Sequence, residues 1–261
     1  KLGTGKYPDF IAISFSSTDY VGHQFGPNAV ETEDTYLRLD KDIEELLNFL
    51  DTDFGLRRVR VFLTADHGAV SNYDYLLANR IPAGRFPVAA VMDSLKKHLH
   101  RKFGTGDWIL SYANQQIYLN RDFMEAKNVR LRDMENEAAD FLSRFRGVSG
   151  TLTGSSLREG SFCQGRELLV QNGFNPRRCG DVIIMLDPGW VEMEWQTTGT
   201  THGAPYSYDT HVPLLWMGWN IRQGSTDEPV SITDIAPTLA SFLETEFPSG
   251  CTGKPIRGML K

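Results

Sequence analysis

The sequence lacks the features that mark several large classes of protein. It has no apolar run of about 18 residues, the length that a membrane-crossing helix needs. Its three cysteines include no Cys-x-x-Cys pair, which argues against a zinc ribbon or a thioredoxin-like site. The net charge is −6, and no block of lysine and arginine offsets it. The sequence therefore does not predict the basic surface that nucleic-acid binding uses. We expect a globular protein with no nucleic-acid partner and no membrane span.

Two common catalytic motifs are also missing. The segment that begins at Gly3 (Gly-Thr-Gly-Lys-Tyr) has neither the spacing of a P-loop nor its Ser or Thr. The sequence contains no Gly-x-Ser-x-Gly motif, so serine hydrolase chemistry of that kind is not expected.

The composition is typical of a globular domain. Hydrophobic residues make up 41% and charged residues 23% of the 261 residues, and a chain of this length can bury a sizeable core.

The cysteines leave one alternative open. Cys163 and Cys179 flank a loop rich in Gly, Asn and Pro, where a disulfide would suit an oxidising compartment. Three unrelated thiols would explain the count equally well.

Apolar periodicity predicts strands and helices in alternation. The runs 10–16 and 59–65 are typical of buried strands. Between them, apolar residues at spacings of three and four predict an amphipathic helix from Glu31 to about Gly55. A strand, a helix and a strand in this order are typical of a parallel sheet. The patterns further predict helices over 88–103, 132–145 and 233–243, strands over 109–119, 181–187 and 212–219, and loops over 71–87 and 147–164.

These elements predict an α/β fold with a mainly parallel central sheet flanked by helices. We find no internal repeat, low-complexity segment or clear linker. The economical division is therefore one domain over 1–261, with a cap inserted at about 71–180. Ligands of open parallel sheets gather at the carboxyl ends of the strands, so chemistry is expected there.

Polar segments follow or border three of the predicted strands. They carry the side chains Asp19, His23, Asp66, His67, His202, Asp209 and His211. Carboxylate and neutral imidazole are the ligands that Zn²⁺ takes when thiolates are absent. Asp19 and His23 are four residues apart, so one helical turn can bring both to one ion. Asp66 and His67 are adjacent and cannot share a helix face, but an irregular loop would let them bind one ion or bridge towards two.

An ordinary structural role is an alternative for each segment taken alone. A single Asp-His-Gly sequence, as at Asp66 and His67, is as often a helix-capping turn as a pair of ligands. His98 and His100 lie in a basic helical segment and are expected on a solvated face. His211 borders a strand and could be a packing residue. The recurrence of Asp and His at three strand ends favours the metal site.

Together the segments 17–23 (Ser-Thr-Asp-Tyr-Val-Gly-His), 65–68 (Ala-Asp-His-Gly) and 201–203 (Thr-His-Gly) resemble the alkaline phosphatase superfamily. The sequence is most similar to the phosphate-irrepressible bacterial type, near the type I phosphodiesterase and nucleotide pyrophosphatase branch. The resemblance extends through 181–190 and 209–218 and covers nearly the whole chain. Each segment is weak on its own, but the combination is specific.

The resemblance implies a two-zinc site that hydrolyses phosphate monoesters. By that resemblance, the ligands are Asp19, His23 and His202 for one zinc and Asp66 and His67 for the other, with Asp209 and His211 as possible supports behind them. Two metals can stabilise both the attacking and the leaving oxygen of a displacement at phosphorus. A phosphodiesterase or nucleotide pyrophosphatase is the first alternative, and a non-catalytic metal-binding domain is the second.

The resemblance also implies residues that this sequence does not supply. In the family, the nucleophilic Thr or Ser and a further Asp ligand lie in an earlier segment. Thr18, Thr64 and Thr201 do not match the position of that nucleophile, so no catalytic residue is assigned here. The chain resembles the C-terminal half of a phosphatase, whose N-terminal half would be its partner. We expect about one bound zinc, no turnover by this chain alone, and a periplasmic or otherwise extracytoplasmic location.

Overall fold

The computed structural model describes residues 2–192 and 198–259. Helices and strands alternate through these residues, which confirms the α/β class. The helices are α1 (Ser17–Phe25), α2 (Val30–Phe54), α3 (Tyr73–Ala78), α4 (Val88–Phe103), α5 (Arg121–Ala126), α6 (Leu131–Leu142), α7 (Gly154–Glu159), α8 (Gly165–Gly173), α9 (Ser207–Thr210) and α10 (Ile235–Leu243). The strands are β1 (Arg60–Thr64), β2 (Gly84–Arg85), β3 (Ile109–Ala113), β4 (Gln116–Leu119), β5 (Val148–Thr153), β6 (Val182–Leu186), β7 (Trp190–Val191) and β8 (Leu214–Gly218). Across the described ranges, none of the helices combines the length and the apolar character needed to cross a bilayer.

The chain divides into two compact units. Unit 1 contains residues 2–15, 39–64 and 213–259, and unit 2 contains residues 16–38, 65–192 and 198–212. All seven side chains singled out above for a metal site lie in unit 2. The single domain with a cap at about 71–180 stays a prediction.

Unit 1 is organised around the antiparallel pair β1–β8. Arg60 lies opposite Gly218, and Thr64 lies opposite Leu214. The predicted strand at 59–65 is therefore present, but its partner here is antiparallel rather than parallel. The strand predicted at 10–16 is wrong, because this run forms no strand and Phe10 remains 66% exposed. Apolar content favours burial, but a strand also requires a neighbouring edge that pairs with its backbone.

Unit 2 contains the larger hydrophobic core. Its sheet has the strand order β3-β4-β6-β5, and each of these neighbours is antiparallel. Helices α4 and α6 pack against each other, and α6 packs on β5 and β6. The fully buried side chains of this core include Leu95, Leu99, Met134, Leu142, Ile117, Val182 and Ile184. Because the described strand pairs are antiparallel except for the two-residue pair β2–β7, the expected parallel sheet is not what these residues form.

Three segments of unit 2 differ from the sequence prediction. The single strand at 109–119 is a hairpin, because Asn114 and Gln115 adopt left-handed φ angles of 50° and 61° that reverse the chain. The loop predicted at 147–164 contains β5 and α7, and α7 begins at a capping box between Thr153 and Ser156. The loop predicted at 71–87 contains α3 and β2. Gly- and Ser-rich composition hid β5 and α7, whereas the Asn, Pro and Gly residues of 71–87 hid α3 and β2. The three cysteines are free thiols.

His98 connects α4 to α6 rather than lying on a solvated face. Its Nε2 lies 2.7 Å from Oε1 of Glu137, and its ring stacks on Phe141 with the centroids 4.2 Å apart. His100 is also engaged, because its Nε2 lies 2.9 Å from the carbonyl oxygen of Gly106. The predicted solvated face is therefore wrong for both histidines, and both have structural roles.

We expect Glu137→Gln to lower the free energy of unfolding by about 1 kcal/mol near neutral pH. The hydrogen bond with His98 lowers the pKa of Glu137 below its usual value of 4.5. A carboxyl whose folded-state pKa is lowered stabilises the fold above the unfolded pKa, and that stabilisation disappears as the pH falls through the folded pKa. Urea unfolding of both proteins at about pH 7 and about pH 3 measures the effect. An equal difference at both pH values would contradict this prediction.

Candidate metal centre

Helix α1 places Asp19 and His23 one turn apart on the same face. Oδ1 of Asp19 lies 3.5 Å from Nε2 of His23. The two side chains are 43% and 40% exposed, so the face is open to solvent and accessible to an ion.

His202 joins this pair from a loop that is remote in sequence. Its Nε2 lies 3.7 Å from Oδ1 of Asp19. One ligand atom each from Asp19, His23 and His202 lie within 4.8 Å of one another. We call these three residues the metal triad. Its atoms are close enough to share one ion.

His67 lies beside the triad, whereas Asp66 lies at the solvent edge. The His67 ring stacks on the ring of His202 with the centroids 3.4 Å apart, and its Nε2 lies 4.0 Å from Oδ1 of Asp19. The Asp66 side chain is 88% exposed, and its Oδ2 lies 3.6 Å from Nε2 of His67. The structure thus brings both residues of the second predicted ligand pair to the edge of the triad.

Backbone carbonyls orient two of the imidazoles. Nδ1 of His23 lies 2.9 Å from the carbonyl oxygen of Thr200, and Nδ1 of His67 lies 2.9 Å from that of Gly68. A carbonyl oxygen can only accept, so Nδ1 is the donor in both bonds, and in the neutral imidazole the free lone pair is then on Nε2. Both Nε2 atoms lie on the side of Asp19.

The protonation of His202 also suits a metal ligand. Burial and, to a smaller extent, the neighbouring His67 lower the pKa of His202, which favours the neutral imidazole. Neutral imidazole nitrogens with one carboxylate oxygen form a donor set that fits zinc or a similar borderline divalent ion.

The loop that carries His202 is held by residues that the sequence analysis did not single out. The hydroxyl of Thr200 is buried and donates to the carbonyl oxygen of Val70. Nδ2 of Asn72 donates to the carbonyl oxygen of Gly199 at 2.8 Å, while Oδ1 of Asn72 accepts from the first backbone N–H groups of α3. An Asn before a short helix is an N-cap signal, but this segment was predicted to be a loop.

Asp209 connects the segments that carry His202 and His67. Its side chain is buried, and Oδ2 accepts hydrogen bonds from the N–H groups of Gly203 at 2.8 Å and Ala204 at 2.6 Å. Its backbone carbonyl accepts from the N–H of Gly68 at 2.8 Å. Oδ1 is buried without a hydrogen-bond partner among the described residues. Burial raises the pKa of Asp209.

His211 lies at the C-terminal end of α9, where its side chain is exposed. Its backbone N–H donates to the carbonyl oxygen of Ser207. The supporting role suggested for His211 stays a prediction.

The sequence profile of the type I phosphodiesterase / nucleotide pyrophosphatase family matches residues 2–207. The chain belongs to this family. The match includes every residue of the metal triad. Together with the alkaline phosphatases described next, it confirms the alkaline phosphatase superfamily that was expected near its type I phosphodiesterase branch.

Curated relatives match almost the whole length of this chain. The chain is 39% identical over 256 residues to the alkaline phosphatase PafA of Elizabethkingia meningoseptica. The aligned residues cover 98% of this chain and 46% of PafA. The chain is 39% identical over 261 residues to the alkaline phosphatase PhoV of Synechococcus elongatus, covering 100% of the chain and 46% of PhoV. A Myroides odoratus protein named as a calcium-transporting ATPase is 40% identical over 249 residues, which cover 95% of the chain and 45% of that protein.

A solved structure confirms the alkaline phosphatase-like fold. The crystal structure of wild-type PafA matches with a TM-score of 0.87 at 39% identity, over 94% of this chain and 46% of that one. The chain therefore spans about half the length of the curated relatives that it matches.

We expect Gly68→Ala to destabilise the chain by about 2 kcal/mol or more. A Cβ atom at Gly68 would lie 2.1 Å from the carbonyl oxygen of Tyr208, so the backbone beside His67 would have to move. Gly22→Ala is the matched control, because a Cβ there meets nothing within 4 Å and the position is inside α1. The control should be neutral or stabilising, by up to about 1 kcal/mol. Thermal melting compares the two, and equal melting temperatures would contradict the close approach at Gly68.

Proposed function

We propose that this chain supplies zinc ligands to an active site that hydrolyses phosphate monoesters. The metal triad carries the proposal, because two imidazole nitrogens lie 3.5 and 3.7 Å from one carboxylate oxygen, on segments far apart in sequence. The names of PafA and PhoV support this class of reaction. The proposal also assigns Asp66 and His67 to a second zinc in the whole protein.

Zinc at the triad would supply positive charge and Lewis acidity beside the phosphoryl group. The residues of the chain prepare that position. The bond between Nδ1 of His23 and the Thr200 carbonyl oxygen orients the ring, and in the neutral imidazole it leaves the Nε2 lone pair for the metal. Asp19 supplies the negative charge of the donor set. Asp209 fixes the backbone directly after His202 through two hydrogen bonds.

The proposal includes the expectation that turnover requires residues beyond this chain. By resemblance, the nucleophile belongs to an earlier segment, and none of Thr18, Thr64 and Thr201 takes its place. The second candidate function is hydrolysis of phosphate diesters or nucleotide pyrophosphates, which the name of the matching family favours.

Complementation tests the proposal. We would co-express this chain with the part of PafA that it does not match, and purify the complex with zinc. The expected result is zinc-dependent hydrolysis of 4-nitrophenyl phosphate that Asp19→Ala abolishes. Faster hydrolysis of bis(4-nitrophenyl) phosphate would favour the diesterase instead. A zinc-loaded, folded complex that hydrolyses neither compound would overturn both and leave a non-catalytic metal-binding domain.

A further inference from the structure

Arg166, in the first turn of α8, donates to two hydroxyl groups through a single nitrogen. Its Nη1 lies 2.9 Å from Oγ of Ser149 and 2.8 Å from the phenol oxygen of Tyr206. Because Nη1 carries two hydrogens, these two bonds use both of them. The guanidinium also lies beside the Tyr206 ring, with its Cζ 5.6 Å from the ring centroid. Arg166 therefore holds both the ring and the hydroxyl of Tyr206.

The two hydroxyls connect Arg166 to the end of β6. The Tyr206 hydroxyl donates to the carbonyl oxygen of Leu186 at 2.8 Å. The Ser149 hydroxyl lies 3.1 and 3.0 Å from the carbonyl oxygens of Met185 and Leu186. Each hydroxyl thus accepts from the guanidinium and gives its own hydrogen to the strand. Within the described ranges Arg166 pairs with no carboxylate, so no salt bridge explains the position of its guanidinium.

Tyr206 in turn holds the segment that supports His202. Its carbonyl oxygen accepts from the backbone N–H of Asp209 at 2.9 Å, where α9 begins. The carboxylate of Asp209 accepts from the two N–H groups that follow His202 in the chain. The contacts of Arg166 therefore reach the backbone beside a ligand of the metal triad. All of these residues belong to unit 2.

We propose that Arg166 is a positioning residue that sets His202 in place for the ion of the metal triad. It acts through Tyr206 and Asp209 and is not itself a ligand. The inference rests on the proposed function only in taking the triad as a zinc site. Partners that orient metal ligands typically contribute 10- to 100-fold to metal affinity, and Arg166 lies further from the ion than such partners, so the lower end of that range is expected.

The experiment measures the zinc affinity of the chain by competition with a chromophoric chelator. Arg166→Met removes the donors and keeps an unbranched side chain, and it should lower the affinity about tenfold. Arg166→Lys keeps an ammonium group that can donate to both hydroxyls, so it should retain most of the affinity. Arg132→Met is the matched control, because Arg132 lies in α6 of the same unit, is 57% exposed and pairs with Glu159. The control should bind zinc as the wild type does.

A double-mutant cycle with His202→Ala separates positioning from a general loss of structure. Asp19 and His23 remain in that variant as a weaker site. Because Arg166 acts through His202, Arg166→Met should weaken zinc binding in the wild type and have no effect when His202 is absent. An equal loss with and without His202, or an unchanged affinity in Arg166→Met, would overturn the proposal.

Tyr206→Phe gives a smaller change that keeps the test decisive where Arg166→Met does not fold. It removes only the phenol oxygen, and it should lower the zinc affinity by the same factor. The two changes together should cost no more than either alone, because both interrupt the same series of contacts. Fully additive losses would contradict the series.

A measurement without zinc separates this inference from the proposed function. Hydrogen exchange is followed at the backbone N–H groups of Gly203 and Ala204, which donate to the Asp209 carboxylate. In the metal-free chain Arg166→Met should speed exchange at both groups, and Arg132→Met should not. If the wild-type chain binds no zinc, the proposed function fails, and this result alone decides whether Arg166 positions the segment. Exchange that Arg166→Met leaves unchanged would overturn the inference.

Discussion

Asp19→Ala should lower the zinc affinity of this chain by more than about 100-fold. Oδ1 of Asp19 is the atom on which the site converges, because Nε2 of His23 and Nε2 of His202 lie 3.5 and 3.7 Å from it. Without it the triad keeps two neutral imidazoles and no anionic ligand. Residues that only support metal ligands typically contribute 10- to 100-fold to affinity, so a ligand itself should contribute more. Competition with a chromophoric chelator measures the dissociation constant.

Asp34→Ala provides the control for loss of a helical carboxylate. Asp34 lies in the part of α2 that belongs to unit 2, its side chain is 57% exposed, and its Oδ2 accepts from Nε of Arg38 at 2.7 Å. This variant should bind zinc as the wild type does. Wild-type affinity in the Asp19→Ala variant would show that the triad is not the zinc site.

The same variant should lose the stabilisation that zinc gives to the fold. His202 is far from Asp19 in sequence, so only the folded chain presents the full triad. An ion that binds the folded state at 1,000 times its dissociation constant adds about 4 kcal/mol to the stability. Thermal melting with zinc and with excess chelator should differ for the wild type and coincide for Asp19→Ala. A chelator effect of equal size in both proteins would place the stabilising ion elsewhere.

The second large effect is expected for Asp209→Ala. Each hydrogen bond to a charged group contributes about 1.5–3 kcal/mol, and Asp209 accepts two of them from the backbone after His202. Burial of the carboxyl offsets part of this contribution. We expect the free energy of unfolding to fall by about 2 kcal/mol and the zinc affinity to fall 10- to 100-fold. Urea unfolding and zinc competition measure the two effects.

Asp209→Asn distinguishes hydrogen bonding from charge. Asn keeps an acceptor oxygen for the N–H groups of Gly203 and Ala204, and it removes the carboxyl whose pKa burial raises. A carboxyl with a raised folded-state pKa stabilises the fold below its unfolded pKa, and that contribution is lost as the pH rises through the folded pKa. Asp209→Asn should therefore retain most of the zinc affinity and gain stability relative to the wild type as the pH rises. A loss equal to that of Asp209→Ala would contradict this account.

The parts of the site that depend on local spacing could be predicted from the sequence. The four-residue interval between Asp19 and His23 needs only one helical turn, and α1 provides it. Helices α2 and α4 follow from apolar residues at helical spacing, and their bounds agree closely with the predicted ranges.

The parts that depend on distant segments could not be predicted in this way. The Thr200 carbonyl oxygen orients His23 across 177 positions of sequence, and no local pattern encodes that contact. Asp209 accepts hydrogen bonds through both its carboxylate and its backbone carbonyl oxygen. This combination is likewise visible only in the fold, where residues 66–68 lie beside residues 202–209. The failed strand at 10–16 has the same cause, since apolar content does not specify which edge, if any, a run will pair with.

Anomalous diffraction at the zinc edge, from crystals of the zinc-loaded chain, tests the central claim most directly. The account predicts a zinc peak about 2.0–2.2 Å from a carboxylate oxygen of Asp19, Nε2 of His23 and Nε2 of His202. A strong peak bound by other residues, with these three side chains outside bonding distance, would contradict the account.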